Sequence, residues 1–450
     1  MIQRGSARRP ADFSPYIPNT DDDRARMLEA IGVEQFEDLI HDIPSHKRYP
    51  TLKLRPAASE LELGREISAM AEANQYPGPY SCFLGAGAYR HFIPAVAKRI
   101  VSRGEFMTSY TPYQPEVAQG TLQTAFEFQT LVALLLGMEV ANAGMYDGPT
   151  AFAEGALMAC RVTGRGKLAA VSSVSPRLLE VVRSYTEPQS ITLEVLDEEE
   201  DEVPGDVAAL LIQSPNGLGT IEDLARWSQA AHASGALVVA SVNPTSVALF
   251  KSPGECDVDI ATAEGQALGV PPAFGGPYVG LFACKSEFVR QMPGRIVGRT
   301  SDGQGKPGYV LTLQTREQHI RREKATSNIC TSTQLIGLMV TSYLATMGKR
   351  GMREVAELCY HKAHYAAEQI GKVLGYSLPV PGTFFHEFVI GCPLPPSEIN
   401  ERLLEQGIIG GLDVSDRVDN GMLICVTEMN TRAEIDGLVG ALREIGAGLR

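Results

Sequence analysis

Short apolar runs alternate with helical stretches between about Gly120 and Cys284, and this alternation constrains the fold more than any other feature of the chain. A strand followed by a helix and another buried strand builds a largely parallel sheet with helices on both faces. The helical stretches between the runs include 176–185 and 221–233. The candidate strands are 168–173, 191–196, 207–213, 237–242, 258–263 and 279–284.

The segments on either side of this region follow different patterns. Residues 1–75 predict a helical arm, with a cap at Thr20 before three acids and a capping box from Ser59 to Glu62. Residues 334–374 predict a long linker helix, and a smaller αβ unit follows it. We therefore expect three parts: an arm (1–75), a large domain (76–335), and a linker helix with a small C-terminal domain (336–450).

Composition excludes several classes of protein. The chain has 450 residues and a formal net charge of −13, which argues against nucleic acid as a partner because phosphate binding needs clustered Lys and Arg. The longest apolar runs, such as 131–138, are too short to span a bilayer, and the N-terminus carries no apolar signal core. We expect a soluble cytoplasmic protein that does not bind membranes.

Cysteine and histidine spacing gives no indication of a metal site. The eight cysteines include no CxxC pair, so we expect buried reduced thiols. His91, His232, His319 and His386 have no Cys or acid at ligand spacing in the chain. We therefore expect no bound metal.

A proline-stiffened loop at 109–116 presents several hydrogen-bonding side chains. Prolines at 112 and 115 suppress helix, so the loop is rigid. It is either part of a binding site or a structural loop with half-buried tyrosines. The candidate side chains are Tyr110, Thr111, Tyr113 and Gln114.

Two further segments could bind an anion. The helix that starts at Asp147-Gly148-Pro149-Thr150 has free N–H groups at its first turn, although these residues also make an ordinary cap. The segment 314–329 packs four basic residues into an acidic protein, either as an anion-binding patch or as a helix face with internal Glu–Arg pairs. Those basic residues are Arg316, Arg321, Arg322 and Lys324.

Four long motifs resemble one family. They are SYTPYQPEVAQGT (109–121), DGPTAFAEG (147–155), MPGRIVGRT (292–300) and LQTREQHIRREKATSNIC (313–330). Together they resemble the N-terminal half of the P-protein of the glycine cleavage system, glycine dehydrogenase (decarboxylating), from about Arg24 onward. In organisms with a split enzyme this half is the alpha subunit, subunit 1.

The resemblance implies an α/β fold of the type I pyridoxal-phosphate transferases, with a large mostly parallel-sheet domain and a small C-terminal αβ domain. It implies an alpha2beta2 tetramer that decarboxylates glycine and passes the aminomethyl group to the lipoyl arm of the H-protein. Such enzymes hold pyridoxal phosphate through a lysine and pair its pyridine nitrogen with an acid.

Neither of these two groups is present at the matching positions. The interval between the strand 258–263 and the turn at Gly276-Pro277 contains no lysine, and Gln266 occupies the lysine position. The segment 240–244 ends the strand expected to carry the acid, and it contains no Asp or Glu. We therefore expect that pyridoxal phosphate is bound through the beta subunit, not covalently by this chain, and that the isolated chain is inactive.

The remaining assignments follow from the resemblance. We expect Tyr110, Thr111, Tyr113 and Gln114 to reach into the site of the beta subunit. A stand-alone pyridoxal-phosphate enzyme, such as an aminotransferase or desulfurase, and a non-catalytic regulatory paralogue are the alternatives. The residues expected to hold phosphate, the substrate carboxylate or the H-protein are Arg316, Lys324, Ser327 and Asn328.

Overall fold

A computed structural model describes residues 18–50, 53–109, 111–197, 202–327, 329 and 333–448. Two of the predicted site residues, Tyr110 and Asn328, lie outside these residues. The chain divides into two compact units, Met1–Asn74 and Gln75–Arg450. None of the described helices is both long and apolar enough to cross a lipid bilayer.

The first unit is helical. Reciprocal capping boxes start its first and third helices, at Thr20 and at Ser59, as the sequence predicts. The first helix ends at Gly32, which adopts a left-handed conformation. The helices are α1 (Asp21–Ile31), α2 (Phe36–Leu39) and α3 (Glu60–Glu72).

A seven-stranded sheet organises the second unit. Its strand order is β2-β8-β7-β6-β5-β3-β4, in which the five strands from β7 to β4 pair in parallel and β8 pairs antiparallel with both of its neighbours, β7 and β2. These strands are β2 (Val140–Ala141), β3 (Lys167–Val171), β4 (Thr192–Leu196), β5 (Ala209–Ser214), β6 (Leu237–Val242), β7 (Ile260–Glu264) and β8 (Gly280–Cys284). A two-residue strand, β1 (Ser81–Cys82), precedes them and lies outside this sheet.

Helices cover the sheet, and one of them packs unusually closely. In α7, a Cβ added at Gly155 would lie 2.8 Å from Val239 of the sheet, so only glycine allows this approach. The helices of this unit are α4 (Ala95–Val101), α5 (Gly104–Met107), α6 (Gln119–Leu136), α7 (Gly148–Thr163), α8 (Pro176–Thr186), α9 (Leu224–Ala233), α10 (Gln318–Arg321), α11 (Gln334–Ile370), α12 (Pro396–Glu405) and α13 (Arg432–Ala447).

The C-terminal part of the second unit has its own sheet and core. The antiparallel order is β11-β14-β13, while β12 pairs in parallel with β1 from the start of the unit. Phe83, directly after β1, joins the core between this sheet and helices α11, α12 and α13. The strands are β11 (Glu387–Gly391), β12 (Ile408–Ile409), β13 (Leu412–Asp413) and β14 (Gly421–Cys425).

The structure adds a hairpin that the sequence pattern does not predict. Strand β9 (Ile296–Ser301) pairs antiparallel with β10 (Pro307–Thr312), and it begins inside the motif MPGRIVGRT. The outer half of β9 is exposed, so it lacks the continuous apolar run that marks the strands of the large sheet. The hairpin leads directly into the basic segment 314–329.

Candidate functional site

A cavity of about 560 Å³ opens where the parallel strands end. The carboxyl edge of a parallel sheet is where α/β proteins bind ligands. Residues after β5, β6 and β7 line this cavity, together with the start of α7 and part of the C-terminal sheet. We call it the strand-end pocket, and its described lining includes no lysine.

Two carboxylates occupy the start of α7, where an anion could bind. Glu264, the last residue of β7, accepts a hydrogen bond from the N–H of Gly148 at 2.8 Å. Asp147 accepts one from the N–H of Thr150 at 2.8 Å, and Pro149 between them has no N–H. The chain therefore places its own negative charge where a phosphate would need free donors.

Burial changes the acidity of one of these carboxylates. Desolvation raises the pKa of Glu264 to about 7, and the charge of Asp147 acts in the same direction. The backbone N–H groups of Gly148 and Gln266 oppose this shift because they stabilise the charged form. Near neutral pH the carboxyl is thus divided between its charged and neutral forms.

Gln266, at the predicted lysine position, is fully buried and tied to the backbone. Its side-chain oxygen accepts from the N–H of Tyr89 at 2.7 Å, and its amide nitrogen donates to the carbonyls of Tyr89 and Val270 at 2.8 and 2.7 Å. An amide cannot form an imine, and both the oxygen and the nitrogen of this side chain are hydrogen-bonded to backbone. The residue links the end of β7 to the loop after β1.

Asn243, at the end of the segment expected to carry the acid, also bonds within the protein. Its oxygen accepts from the N–H groups of Thr245 and Ser246, so its nitrogen must face His386 Nε2 as a donor, at 2.9 Å. The imidazole then carries its proton on Nδ1, 3.2 Å from the sulfur of Cys425. Burial lowers the pKa of His386 to about 3, which keeps the ring neutral.

A second buried cluster combines residues that are far apart in sequence. Glu428 lies 2.7 Å from His91 Nδ1 and 3.3 Å from the sulfur of Cys359, and the N–H of Phe92 donates to its other oxygen. These are ligand types for a metal, and chain spacing did not reveal that they meet. Their distances are those of hydrogen bonds, and three donors on one carboxylate account for the arrangement. Burial opposes ionisation, but the hydrogen bond and charge of His91 lower the pKa of Glu428 to about 2.

The proline-stiffened loop meets the basic segment around one aromatic ring. Tyr113 receives a hydrogen bond from Arg295 Nη2 at 2.8 Å, and its ring centre lies 5.1 Å from that of His319. Glu317 lies 3.5 Å from both Arg295 and His319. We call these four residues the Tyr113 cluster. A cavity of about 370 Å³ beside it is lined by Tyr113, Glu317, Gln318, His319, Arg322, Glu323 and Ile329.

Other predicted site residues take different places. Arg316 is buried and donates to the carbonyls of Met292, Gly294 and Leu313, so it holds the segment in place rather than facing solvent. Lys324 is exposed. This separates the four basic residues of the segment into one buried and three exposed.

The remaining predicted residues frame the same region. The hydroxyl of Ser327 donates to Glu154 at 2.9 Å, and burial raises the pKa of that carboxyl. Thr111 is half-buried and its carbonyl accepts from the N–H of Tyr113, whereas Gln114 is exposed. The structure therefore brings Tyr113 to the basic segment, whereas Gln266 lies elsewhere, two residues after Glu264 of the strand-end pocket.

Sequence reasoning missed two residues of these sites. Arg295 lies in the motif MPGRIVGRT, but no charged neighbour there indicates that it contacts Tyr113. Glu264 precedes the lysine position by two residues, but no local sequence pattern marks it as a site residue, because its partner Gly148 is 116 residues away. Both contacts depend on the tertiary fold.

Comparison with known proteins shows which family has this arrangement. The family model described as Glycine cleavage system P-protein matches residues 14–442. The chain belongs to the glycine cleavage system P-protein family. The resemblance inferred from the four motifs is therefore confirmed.

The relatives agree along nearly the whole chain. A "Probable glycine dehydrogenase (decarboxylating) subunit 1" of Thermomicrobium roseum is 51% identical, over 96% of this chain and 100% of the relative. A protein of the same name from Desulfitobacterium hafniense is 50% identical, over 96% and 99%. The name subunit 1 implies a partner, subunit 2. The chain is thus a subunit of an enzyme, as predicted.

Solved structures agree with the fold. The crystal structure of a glycine decarboxylase (P-protein) of the glycine cleavage system, in inhibitor-bound form, superposes with a TM-score of 0.90 at 41% identity, over 96% of this chain and 99% of that one. Lactobacillus brevis glutamate decarboxylase shares the fold at a TM-score of 0.64 and 14% identity, over 89% and 96%. The predicted α/β fold of the pyridoxal-phosphate enzymes is confirmed.

Proposed function

We propose that this chain is the alpha-type subunit of a P-protein in which subunit 2 carries the cofactor. The complex decarboxylates glycine and transfers the aminomethyl group to the lipoyl arm of the H-protein. One observation supports this division of labour above all others. In a chain similar to subunit 1 over its full length, the lysine position holds a buried glutamine bonded to backbone.

Pyridoxal phosphate does not fit the strand-end pocket of this chain. Gln266 offers no amine, the segment 240–244 contains no acid and its Asn243 bonds to His386, and Glu264 accepts the hydrogen bond of the Gly148 N–H. The lysine position and the N–H of Gly148 are thus both engaged within the protein, and the acid is absent. We therefore assign the cofactor to subunit 2, and we assign no chemical step to this pocket.

The Tyr113 cluster is the part of this chain that we place at the active site of the partner. The hydrogen bond from Arg295 occupies a lone pair of the Tyr113 oxygen, so the phenol proton remains available to donate to a substrate or cofactor. Tyr113 is 42% exposed, which leaves the ring accessible. We propose that Tyr110, Thr111 and Gln114 enter the same site.

The exposed basic residues have a separate role in this proposal. Arg321, Arg322 and Lys324 are exposed, and Arg322 lines the cavity beside the Tyr113 cluster. They would attract an anionic group, either the glycine carboxylate or an acidic face of the H-protein. Buried Arg316 positions this segment, and Ser327 and Asn328 follow it along the chain.

The assembly completes the proposal. We infer an alpha2beta2 tetramer in the cytoplasm, an isolated chain without activity, and domains at 1–75, 76–335 and 336–450. In homologous dimers both protomers can contribute to each active site, and a duplicated dimer can keep its interface after one site is lost.

The test is glycine–bicarbonate exchange by the complex of this chain, subunit 2, pyridoxal phosphate and lipoylated H-protein. We expect Tyr113→Phe to lower kcat by roughly 10-fold or more, because a hydrogen-bond donor is removed from the site. Tyr309→Phe is the matched control, because Tyr309 lies in the neighbouring hairpin and packs on Phe126 of α6. A complex with this variant should exchange at the normal rate.

Three results would contradict the proposal. Equal exchange rates for both variants would remove Tyr113 from the active site. A covalent pyridoxal-phosphate adduct in the isolated chain would indicate a stand-alone enzyme. If this chain binds subunit 2 but the exchange rate is the same with and without it, the chain is a regulatory paralogue.

A further inference from the structure

One buried carboxylate of the Tyr113 cluster has an oxygen without a donor. The side chain of Glu317 is only 6% exposed. Its Oε1 atom accepts no hydrogen bond from any residue that the structure describes. Buried polar atoms are nearly always paired, so an unpaired carboxylate oxygen requires a physical explanation.

The charged neighbours of Glu317 lie on its other oxygen. Oε2 is 3.5 Å from Arg295 Nε and 3.5 Å from His319 Nδ1. Glu317 is also the residue at which α10 begins, but its side chain makes no capping hydrogen bond to that helix. Neither ion pairing nor helix capping therefore accounts for the place of Oε1.

The backbone around Glu317 is held at several points. Arg316, the preceding residue, is buried and donates to the carbonyls of Met292 and Gly294. The carbonyl of Glu317 itself accepts from the N–H groups of Ile320 and Arg321. Because the carboxylate is preorganised in this way, little conformational freedom is lost when a ligand pairs with Oε1.

The cavity of about 370 Å³ beside this carboxylate offers groups of opposite charge. Glu317 and the exposed Arg322 both line it. Tyr113 lines it as well, and its phenol proton is available because Arg295 donates to its oxygen. A volume of this size is typical of sites for small molecules. A ligand with one ammonium group and one carboxylate finds a partner for each of them here.

We propose that this cavity binds the free amino-acid substrate as a zwitterion, with its ammonium group on Glu317 Oε1 and its carboxylate on Arg322 and the Tyr113 hydroxyl. This inference rests on the proposed function, which makes glycine the amino acid. An ammonium group has three donors and no acceptor, so it matches an unpaired carboxylate oxygen. Glu317 is then a residue that determines specificity, because a ligand without N–H groups leaves Oε1 unpaired.

The experiment measures binding to the full chain, without subunit 2, by isothermal titration calorimetry. The probes are glycine, N,N,N-trimethylglycine, which keeps both charges but has no N–H, and acetate, which has no ammonium group. We expect trimethylglycine to bind at least about 10-fold more weakly than glycine, because charge-assisted hydrogen bonds are lost. Equal affinities would overturn the proposal. No saturable binding of glycine up to roughly 100 mM would overturn it too, and would mean that Oε1 meets only water.

Variants assign the contact to one side chain. Glu317→Gln should raise the Kd for glycine at least about 10-fold, because an amide carries no charge to pair with the ammonium group. The control Glu116→Gln removes the same charge from an exposed residue of the proline-stiffened loop, so it should leave this Kd within about 2-fold. An unchanged Kd for Glu317→Gln would contradict the assignment.

Acetate separates recognition of the ammonium group from a disturbed site. Its affinity should not fall in Glu317→Gln, because acetate has no group that pairs with Oε1. If acetate and glycine were weakened equally, Glu317 would only hold the cluster together and the proposal would be wrong. Arg322→Gln should weaken both ligands by at least about 5-fold, since both carry the carboxylate. Normal acetate binding in that variant would overturn the carboxylate assignment.

Failure of the proposed function gives a different result. It would be seen as an assembled complex that does not exchange glycine with bicarbonate, while the isolated chain still binds glycine and still discriminates against trimethylglycine. The opposite result, normal exchange by the complex with no discrimination by this chain, would reject the zwitterion site alone.

Discussion

The carboxyl of Glu264 makes the stability of the chain depend on pH. Burial raises its pKa to about 7, above the value of 4.5 for an exposed glutamate. Between these values the unfolded chain loses the proton and the folded chain keeps it. The contribution of Glu264 to stability is therefore greatest below pH 4.5, falls as pH rises towards 7, and levels off above it.

Replacing this residue tests the effect. The shift corresponds to a loss of at most about 3 kcal/mol across that interval. Glu264→Gln removes the titrating group. The free energy of unfolding of the variant, relative to that of the unchanged chain, should therefore increase as pH rises from 5 to 7.5. Denaturant unfolding at several pH values measures this difference. A difference independent of pH would show that Glu264 is already ionised at pH 5.

The lysine position provides the second residue-level prediction. Gln266→Lys alone should not give the isolated chain a covalent pyridoxal-phosphate adduct, because Glu264 still occupies the N–H of Gly148. Adding Glu264→Ala frees that donor and should allow measurable binding. Absorbance spectra after addition of the cofactor distinguish the variants, with circular dichroism as a check on folding. An adduct in the single variant would show that the carboxylate does not block the pocket.

The sequence could predict where a site residue lies in the chain, but it could not predict which residues that side chain contacts. Spacing from the end of a strand to Gly276-Pro277 located Gln266. Its bonds to Tyr89 cross 177 positions, and those of His91 to Glu428 cross 337. No local pattern encodes such distances. The basic segment illustrates the same limit, because adjacent letters do not indicate that Arg316 is buried and Lys324 exposed.

At the scale of elements, a glycine interrupts α11. Gly348 has a φ of 59° inside the long helix, and a Cβ at this position would meet no atom within 4 Å. Gly348→Ala should therefore lower stability by about 1–3 kcal/mol through backbone strain alone. Gly437 in α13 also has open space, but it lacks the positive φ, so Gly437→Ala should raise stability by roughly 0.5–1 kcal/mol.

Thermal unfolding of the two variants checks this contrast. Opposite shifts in Tm are expected, because the added methyl group is the same and only the backbone conformation differs. A stabilised Gly348→Ala variant would mean that α11 can run straight through this position without loss of packing.

Elements were predictable where one physical pattern determines them. Buried strands such as Leu237–Val242 agree with their predicted bounds because every side chain is apolar or small. The hairpin of β9 and β10 escaped prediction because half of β9 is exposed. Pairing of β1 with β12 joins residues more than 300 positions apart, so the sequence pattern does not indicate that Phe83 belongs to the C-terminal core.

At the scale of the molecule, the two units contrast in how they are stabilised. The second unit has large buried cores, whereas the first has local helix caps and no buried side chain among its described residues. The first unit therefore depends on local capping, and the second on buried apolar cores.

Removal of residues 1–74 tests this view. The shortened chain should retain its Tm within about 2 °C, because the core side chains of the second unit all lie beyond residue 74. Differential scanning calorimetry of the full and the shortened chain measures the two Tm values. A larger decrease would show that residues 1–74 contribute to the stability of the second unit.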